Sequence, residues 1–129
     1  MKLECKDLSV SDEELGCTIT FSQEKEETKW ESNMSIEELT RSLKPYILLQ
    51  RSYAEDEFED DYYYFETLDF DKSGELKDFT IEVHRKQILI NYNNELFEIT
   101  INVNNKEFDD LKASLKKIAN KEGQLKIYE

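Results

Sequence analysis

The chain has 129 residues, of which 38% are hydrophobic and 36% are charged, and its formal net charge is −13 at pH 7. This length suits one domain, spanning residues 1–129, that can bury a core. Only three glycines and one proline are present, which excludes collagen-like and linker-dominated chains. No apolar run reaches membrane-spanning length and the N-terminus lacks the apolar region of a secretory signal, so we expect a cytoplasmic protein that does not contact membranes.

The N-terminal part predicts a pair of strands. Residues 2–10 are expected to form the first, although the alternation of apolar residues slips between Leu3 and Val10. A turn is expected at residues 11–16. The second strand follows at residues 17–23, where apolar and polar residues alternate without a break.

The two cysteines, Cys5 and Cys17, are expected to be reduced. In the predicted hairpin Val10 lies opposite Cys17 and Cys5 lies near Ser22, so the thiols do not face each other. Separate reduced thiols are consistent with a reducing compartment. Neither cysteine stands in a CxxC pair or in a zinc-binding spacing.

A short helix is predicted next. Ser35 and Glu38 match a capping box, in which each side chain bonds the other residue's backbone N–H. The helical spacing of the apolar residues continues through Ile36, Leu39 and Leu43. Pro45 disfavours helix at the residue before it. Residues 46–51 (YILLQR) fit either a buried strand or a further helical turn after a kink, and the helical turn is weakly favoured.

From residue 62 the pattern indicates an antiparallel meander. Strands are expected at residues 62–70, 79–84, 87–92 and 95–103, with turns at 71–74, 85–86 and 93–94. Asn93 and Asn94 suit a tight turn because Asn tolerates positive φ. The last strand has the strictest alternation of apolar residues, through Phe97, Ile99, Ile101 and Val103.

A second helix and a final strand complete the prediction. Asn104 or Asn105 caps the helix and Gly123 ends it. Its apolar stripe is formed by Phe108, Leu111, Leu115 and Ile118. Residues 124–128 return as a strand. The fold class expected is α+β, with an antiparallel sheet and about two helices packed on one face.

The charge is concentrated in one region. Residues 1–80 hold 22 acids and 9 bases, which accounts for the whole net charge of −13, whereas residues 81–129 hold 8 of each. Residues 52–71 (SYAEDEFEDDYYYFETLDFD) contain nine carboxylates, seven aromatic rings and no base. On a strand, Tyr62 and Tyr64 would face one side and Tyr63 and Phe65 the other, so at least one ring is expected to be exposed.

This composition predicts binding to a basic protein. Carboxylates attract basic surfaces and speed encounter with them, and aromatic rings supply anchors of the kind found at interface hot spots. The partner-binding residues expected are Tyr53, Glu55, Asp56, Glu57, Phe58, Glu59, Asp60, Asp61 and Tyr63. The sign of the charge disfavours direct binding to nucleic acid.

In size, charge and α+β pattern the chain resembles the small acidic immunity proteins that bacteria make against nuclease toxins. The resemblance covers the whole chain and has no diagnostic motif, so no residue role is transferred. It implies a bacterial inhibitor that occludes the basic active site or substrate groove of a toxin. Two alternatives remain: a mimic of nucleic acid that binds a nucleic-acid-binding protein, and a non-catalytic structural or adaptor domain whose acidic loop is only solvated.

Other sites are weaker. Residues 69–76 partly match an EF-hand calcium loop, with Asp69, Asp71 and Ser73 as oxygen ligands and Gly74 at the sixth position. The twelfth position is Thr80, where a bidentate Glu is required, so a hairpin turn is the favoured interpretation.

No enzyme activity and no cofactor is expected. The single histidine, His84, shares its predicted strand face with Glu82, and Glu98 could lie on a neighbouring strand. General base catalysis would need a nucleophile or an orienting carboxylate beside it, and no Ser or Cys nucleophile stands in a recognisable motif.

Overall fold

A computed structural model describes residues 1–23, 45–68, 70–119 and 121–128. The helix predicted at residues 35–44 lies outside these ranges. Within them, the elements are β1 (Lys2–Glu4), β2 (Asp7–Glu13), β3 (Gly16–Ser22), β4 (Tyr46–Ser52), β5 (Tyr62–Thr67), a 3₁₀ turn (Phe70–Lys72), β6 (Gly74–Glu75), β7 (Thr80–His84), β8 (Gln87–Tyr92), β9 (Glu95–Thr100), α1 (Asn105–Ile118) and β10 (Leu125–Tyr128).

Five strands form a mixed sheet in the order β1-β9-β8-β7-β10. The predicted meander is its centre, because β7, β8 and β9 pair antiparallel. Asn93 and Asn94 have φ of 52° and 62°, which confirms the tight turn between β8 and β9. The strands at the two edges pair parallel, β1 with β9 and β10 with β7.

The other five strands form an antiparallel sheet in the order β2-β3-β4-β5-β6. Its inner face is apolar where Ile19 of β3, Leu49 of β4 and Phe65 of β5 lie side by side, all fully buried. The described residues therefore form two sheets, where the sequence predicts one. The coarser expectation of an α+β domain with an antiparallel sheet is confirmed.

The two sheets meet through aromatic rings. Phe65 of the antiparallel sheet lies 4.7 Å from Tyr92 and 4.9 Å from Phe97 of the mixed sheet, measured between ring centroids. Tilted aromatic pairs at this spacing add to the energy of area burial. The predicted alternation is confirmed for Phe97 and Ile99, which are both buried, but β9 ends at Thr100 instead of continuing to residue 103.

Helix α1 packs on the inner face of the antiparallel sheet, across β2, β3 and β4. It starts with a capping box, because the Asn104 side chain accepts from the Glu107 N–H at 2.8 Å and the Glu107 carboxylate accepts from the Asn104 N–H at 3.2 Å. All four residues of the predicted apolar stripe are buried. The helix ends at Ile118, so Gly123, with φ of 82°, belongs to the turn before β10 instead of ending the helix.

Residues 46–51 are strand, so the helical interpretation is wrong. They belong to β4, which pairs with β3 on one side and with β5 on the other. Ile47 and Leu49 are buried, whereas Leu48 and Gln50 on the opposite face are half-buried. The pairing partners on both sides decide the conformation, and they lie far away in the sequence.

The predicted first strand is two strands. β1 joins the mixed sheet and β2 joins the antiparallel sheet, with the break at Cys5 and Lys6. Asp12 lies opposite Cys17, so the predicted register is wrong by two residues. The turn contains only residues 14 and 15, which shortens the connection and shifts the pairing. The prediction of unpaired cysteines is confirmed: both are free and buried, and burial raises the pKa of each thiol.

Strand β5 ends at Thr67 instead of continuing to residue 70. Beyond it Phe70–Lys72 form the 3₁₀ turn, and the short strand β6 pairs back on β5. The Ser73 hydroxyl accepts from the Thr67 N–H at 3.1 Å and donates to the Thr67 carbonyl at 3.2 Å, which closes the turn.

Candidate partner-binding surface

Two hairpin turns lie at the same end of the antiparallel sheet. Gly16, the first residue of β3, pairs with Ser52, the last residue of β4, and Ser52 pairs with Tyr62, the first residue of β5. The β2–β3 turn and the β4–β5 loop are therefore neighbours. The Tyr53 N–H donates to the Leu15 carbonyl at 3.1 Å and links them directly.

We call the exposed residues at these two turns the acidic tip, which comprises residues 13–15, with Glu13 the last residue of β2, and residues 55–60. It combines seven exposed acidic residues with two exposed hydrophobic side chains. The acids are Glu13, Glu14, Glu55, Asp56, Glu57, Glu59 and Asp60. Phe58 is 89% exposed and Leu15 is 72% exposed, the two largest values among the exposed large hydrophobic residues of the described chain. Exposed apolar surface rimmed by polar residues is a feature of interaction sites.

A local turn holds Phe58 away from the sheet. The Asp56 carboxylate accepts from the Phe58 N–H at 2.9 Å, and the Asp56 carbonyl accepts from the Glu59 N–H at 3.4 Å. Asp side chains commonly bond the backbone two residues on in this way. The loop is thus a formed turn with its aromatic ring in solvent.

Arg51 fixes the base of the loop. Its Nε donates to the Asp61 carboxylate at 2.8 Å, and a second guanidinium nitrogen lies 2.6 Å from the same oxygen. A third nitrogen donates to the Lys117 carbonyl at the end of α1, at 2.7 Å. The guanidinium also lies over the rings of Tyr53 and Tyr63, 5.5 Å and 5.4 Å from their centroids. One side chain thereby joins β4, the loop and the helix.

A second ion pair supports the other side of the loop. The Tyr53 hydroxyl donates to the Asp12 carboxylate at 2.7 Å, and the Lys117 ammonium group donates to the other oxygen of Asp12. Asp12 lies at the end of β2, just before the β2–β3 turn. The two turns of the acidic tip are thus both tied to the C-terminal end of α1.

These contacts change the acidity of both carboxyl groups. The hydrogen bond from the Ala54 N–H, followed by the bond from Arg51, lowers the pKa of Asp61. The bond from Lys117, followed by the bond from Tyr53, lowers the pKa of Asp12. Both groups are therefore ionised at neutral pH, and the cations Arg51 and Lys117 are already occupied by them.

A groove of about 850 Å³ opens beside the loop. Carboxylates predominate over ammonium groups on its wall, which carries Glu59, Asp60, Asp61, Glu75, Asp78, Lys77 and Lys121. The negative surface of the acidic tip therefore continues across β6 toward the turn that precedes β10.

The structure divides the predicted binding residues into two groups. Tyr53, Asp61 and Tyr63 are half-buried and contact Arg51, so they hold the loop. The exposed group consists of Glu55, Asp56, Glu57, Phe58, Glu59 and Asp60. The expectation of an exposed ring is confirmed, because Tyr62 is also 48% exposed.

The β2–β3 turn is a part of the site that the sequence argument missed. For Glu13, Glu14 and Leu15 the sequence predicts only a turn. The apolar Leu15 beside two acids repeats, on a smaller scale, the composition around Phe58. That similarity is the one signal in the sequence that pairs the two turns.

The weaker sites have few supporting contacts. Asp69 lies outside the described residues, and the Ser73 hydroxyl is used by Thr67. In the described part of the chain, no group of three or more His, Cys, Asp or Glu side chains could hold a metal ion. The same residues include no helix with the length and apolar character needed to cross a membrane.

His84 lies on the outer face of the mixed sheet. Its ring stacks on Tyr128 at 4.9 Å between centroids, and its Nε2 is 3.8 Å from the Glu82 carboxylate. Glu98 is two strands away from Glu82, because Leu89 of β8 lies between them. Its carboxylate is 3.8 Å from the Lys2 ammonium group.

Comparisons with protein-family models, with curated proteins and with solved structures found no match to this chain.

Proposed function

We propose that this protein is a stoichiometric inhibitor that binds a basic partner protein through the acidic tip. The observation that carries the proposal is the position of Phe58 and Leu15, two hydrophobic side chains held in solvent among seven exposed acids. A partner that covers them would gain the energy of their burial.

The two kinds of side chain have different roles. The carboxylates attract a basic surface over several ångströms and accelerate association, mostly at low salt. Phe58 and Leu15 then act as anchors, which give most of the binding energy when they are buried at the centre of an interface. The Arg51 and Asp12 contacts hold the turns in place before binding, so less conformational entropy is lost on association.

The inhibitor acts by occlusion and needs no catalytic residue of its own. A basic active site or substrate groove complements the sign of the acidic tip, and the adjoining groove extends the contact area. A nuclease-type toxin has such a site, because it must bind a polyanion. This class of partner agrees with the resemblance to immunity proteins, and the bacterial origin belongs to the same proposal.

The test is capture from a lysate of the source organism, with nuclease added so that bridging by nucleic acid is removed. The baits are the native chain, a tip variant (Glu55→Lys, Glu57→Lys and Glu59→Lys) and a control variant (Glu4→Lys, Asp109→Lys and Glu122→Lys). Both variants change the net charge by the same amount, but the control changes exposed acids away from the tip.

We expect one basic protein to be retained by the native and control baits and lost by the tip variant. The captured protein is then purified and titrated with the inhibitor. A one-to-one complex in which its activity is lost supports the proposal. Equal capture by all three baits, or binding without inhibition, contradicts it and favours a solvated acidic loop. Displacement of DNA or RNA from a non-enzymatic protein would instead indicate a nucleic-acid mimic.

A further inference from the structure

Strand β2 forms one edge of the antiparallel sheet, and no described strand lies beyond it. Two hydrogen bonds fix which backbone groups point outward. Gln23 donates to the Pro45 carbonyl and Tyr53 donates to the Leu15 carbonyl, both at 3.1 Å. The odd-numbered residues of β3 therefore bond β4, and the even-numbered ones bond β2.

The register of β2 and β3 then identifies the open groups. Even-numbered residues of β3 lie opposite odd-numbered residues of β2, as Thr20 does opposite Ser9. Alternate residues of a strand direct their N–H and C=O to opposite sides. Leu8, Val10 and Asp12 therefore turn their N–H and C=O groups to the open edge, which is the template that another strand needs.

There is space for side chains on both faces of this edge. On the inner face, a groove of about 190 Å³ is lined by Leu8 and Val10 of β2 and by Glu107 and Asp110 of α1. On the outer face, a groove of about 420 Å³ includes Ser9 among its lining residues. An added strand could place apolar residues in the first groove and small polar residues over the second.

We propose that β2 accepts an extended, basic segment of a partner protein as a sixth strand of the antiparallel sheet. Charge decides the kind of occupant. Asp7 and Glu13 stand near the two ends of β2, and the inner groove adds the carboxylates of Glu107 and Asp110. A segment with Lys at both ends sets one cation against Asp7 and one against Glu13, and alternating Val places apolar side chains beside Leu8 and Val10.

A second copy of this chain is a poorer occupant. Antiparallel pairing of two β2 strands about Val10 places Asp7 opposite Glu13 twice. Like charges that face each other across a strand pair are destabilising, and the net charge of −13 adds long-range repulsion. The edge therefore favours a basic partner over self-association.

The probe is the capped peptide Lys-Val-Thr-Val-Thr-Val-Lys, whose register on β2 sets Lys against Asp7 and Glu13. Amide hydrogen exchange of the whole chain is measured by NMR with and without the peptide. We expect exchange to slow at Leu8, Val10 and Asp12. The peptide with Glu at both ends should bind several-fold more weakly.

Two variants of one position separate backbone pairing from side-chain packing. Val10→Pro removes the outward N–H and leaves the bonds from β2 to β3 intact, so it should abolish peptide binding. Val10→Ala keeps that N–H and should retain binding. Equal binding by the two variants overturns the proposal, and so does exchange protection of all three amides before peptide is added, because the edge would then already be occupied.

The tip variant with Lys at residues 55, 57 and 59 distinguishes this site from the proposed function. It should bind the peptide as well as the native chain does, because the acidic tip is not part of the edge. Loss of peptide binding in that variant would assign the peptide to the acidic tip and overturn the edge proposal. The edge proposal is also overturned if the peptide slows amide exchange only at residues outside β2.

Discussion

Arg51 and Asp61 form an ion pair across the base of the β4–β5 loop, with 2.6 Å between a guanidinium nitrogen and a carboxylate oxygen. Arg51 belongs to a strand, whereas Asp61 is the last residue of the loop. The pair closes the segment that carries Phe58 and the exposed acids. The geometry of the proposed binding surface therefore depends on two residues that need not touch the partner.

The first prediction concerns this pair. Arg51→Met keeps an apolar stem between the rings of Tyr53 and Tyr63 but removes the ion pair and the bond to the helix. We expect the free energy of unfolding to fall by about 1 kcal/mol, since partly exposed charge pairs contribute modestly. Amide exchange at residues 54–60 should become faster. The control Lys77→Met removes an exposed cation and should change neither quantity, whereas an unchanged loop in Arg51→Met would contradict the prediction.

The second prediction concerns the two hydrophobic side chains of the acidic tip. Phe58→Ala and Leu15→Ala should each leave the unfolding free energy within about 0.5 kcal/mol of the native value, because both side chains are exposed. Each should weaken binding to the captured partner by at least about tenfold, or roughly 1.4 kcal/mol.

The matched control for these two is Leu96→Ala. Leu96 is an exposed apolar residue of the mixed sheet, 40% accessible, and lies outside the acidic tip. Affinities measured by titration calorimetry should be unaffected by this change. A similar loss for all three variants would show that the hydrophobic contacts are not specific to the tip.

The third prediction concerns salt. The association rate constant with the partner should fall as ionic strength rises, because screening shortens the range of the carboxylates. In the tip variant the rate should be low already at low salt and should depend little on added salt. Stopped-flow mixing measures the association rate constant and its dependence on salt. A salt dependence that is equal in the tip and control variants would contradict electrostatic steering by residues 55–59.

The fourth prediction concerns pH. The pKa of Asp61 is lower in the folded chain than its ordinary value of 3.8, and the pKa of Asp12 is lowered in the same direction. The stabilisation that these two ionised carboxylates give the folded chain is therefore present above pH 3.8, and it is lost as the pH falls through their pKa values in the folded chain. The difference in unfolding free energy between the native chain and Asp61→Asn should shrink below pH 3.8.

The measurement for pH is urea unfolding at a series of pH values, with Glu57→Gln as the control for an exposed carboxylate of the same loop. The unfolding free energy of the control should change with pH in the same way as that of the native chain. If the difference in unfolding free energy between Asp61→Asn and the native chain stayed constant down to the lowest pH, the predicted role of the ion pair between Arg51 and Asp61 would be contradicted.

The fifth prediction concerns Gly16, where the two turns approach. A Cβ atom at this position would lie 2.6 Å from the Arg51 carbonyl oxygen, which belongs to the backbone of β4. Gly16→Ala should therefore cost about 1–3 kcal/mol of stability, in the range of overpacked sites. Gly74→Ala is the control, because its Cβ would be 3.5 Å from the Tyr92 hydroxyl, an ordinary contact. Denaturant midpoints measure the stability of both variants. Equal shifts for Gly16→Ala and Gly74→Ala would contradict the predicted overpacking at Gly16.

A turn and a cap that depend on neighbouring residues were predicted correctly from the sequence. The Asn93-Asn94 turn and the Asn104 cap depend on the residues themselves and on near neighbours, and both are confirmed. Residues 46–51 were misassigned because their conformation depends on pairing with β3 and β5. No sequence period distinguishes so short an apolar run from a helical turn.

One feature of the sequence indicates the division into two sheets. The slip of alternation between Leu3 and Val10 marks the place where the chain leaves one sheet and enters the other. The acidic charge of the candidate site was predictable from the sequence, and Phe58 was among the predicted binding residues. The roles of Tyr53 and Tyr63 were not, because both depend on Arg51, whose position over their rings follows from strand register.

The parallel pairing of β1 with β9 has a consequence for how the molecule is made. β1 is synthesised about 95 residues before its partner strand, as the bond from the Met1 amino group to the Leu96 carbonyl illustrates. The strands of the antiparallel sheet, β2 to β6, pair in the order of the sequence, so they can pair while synthesis continues. The mixed sheet must wait, and closing so long a loop slows the step. The strands that carry the acidic tip can therefore pair early, but the ties of the tip to α1 through Arg51 and Lys117 form only after that helix has been made.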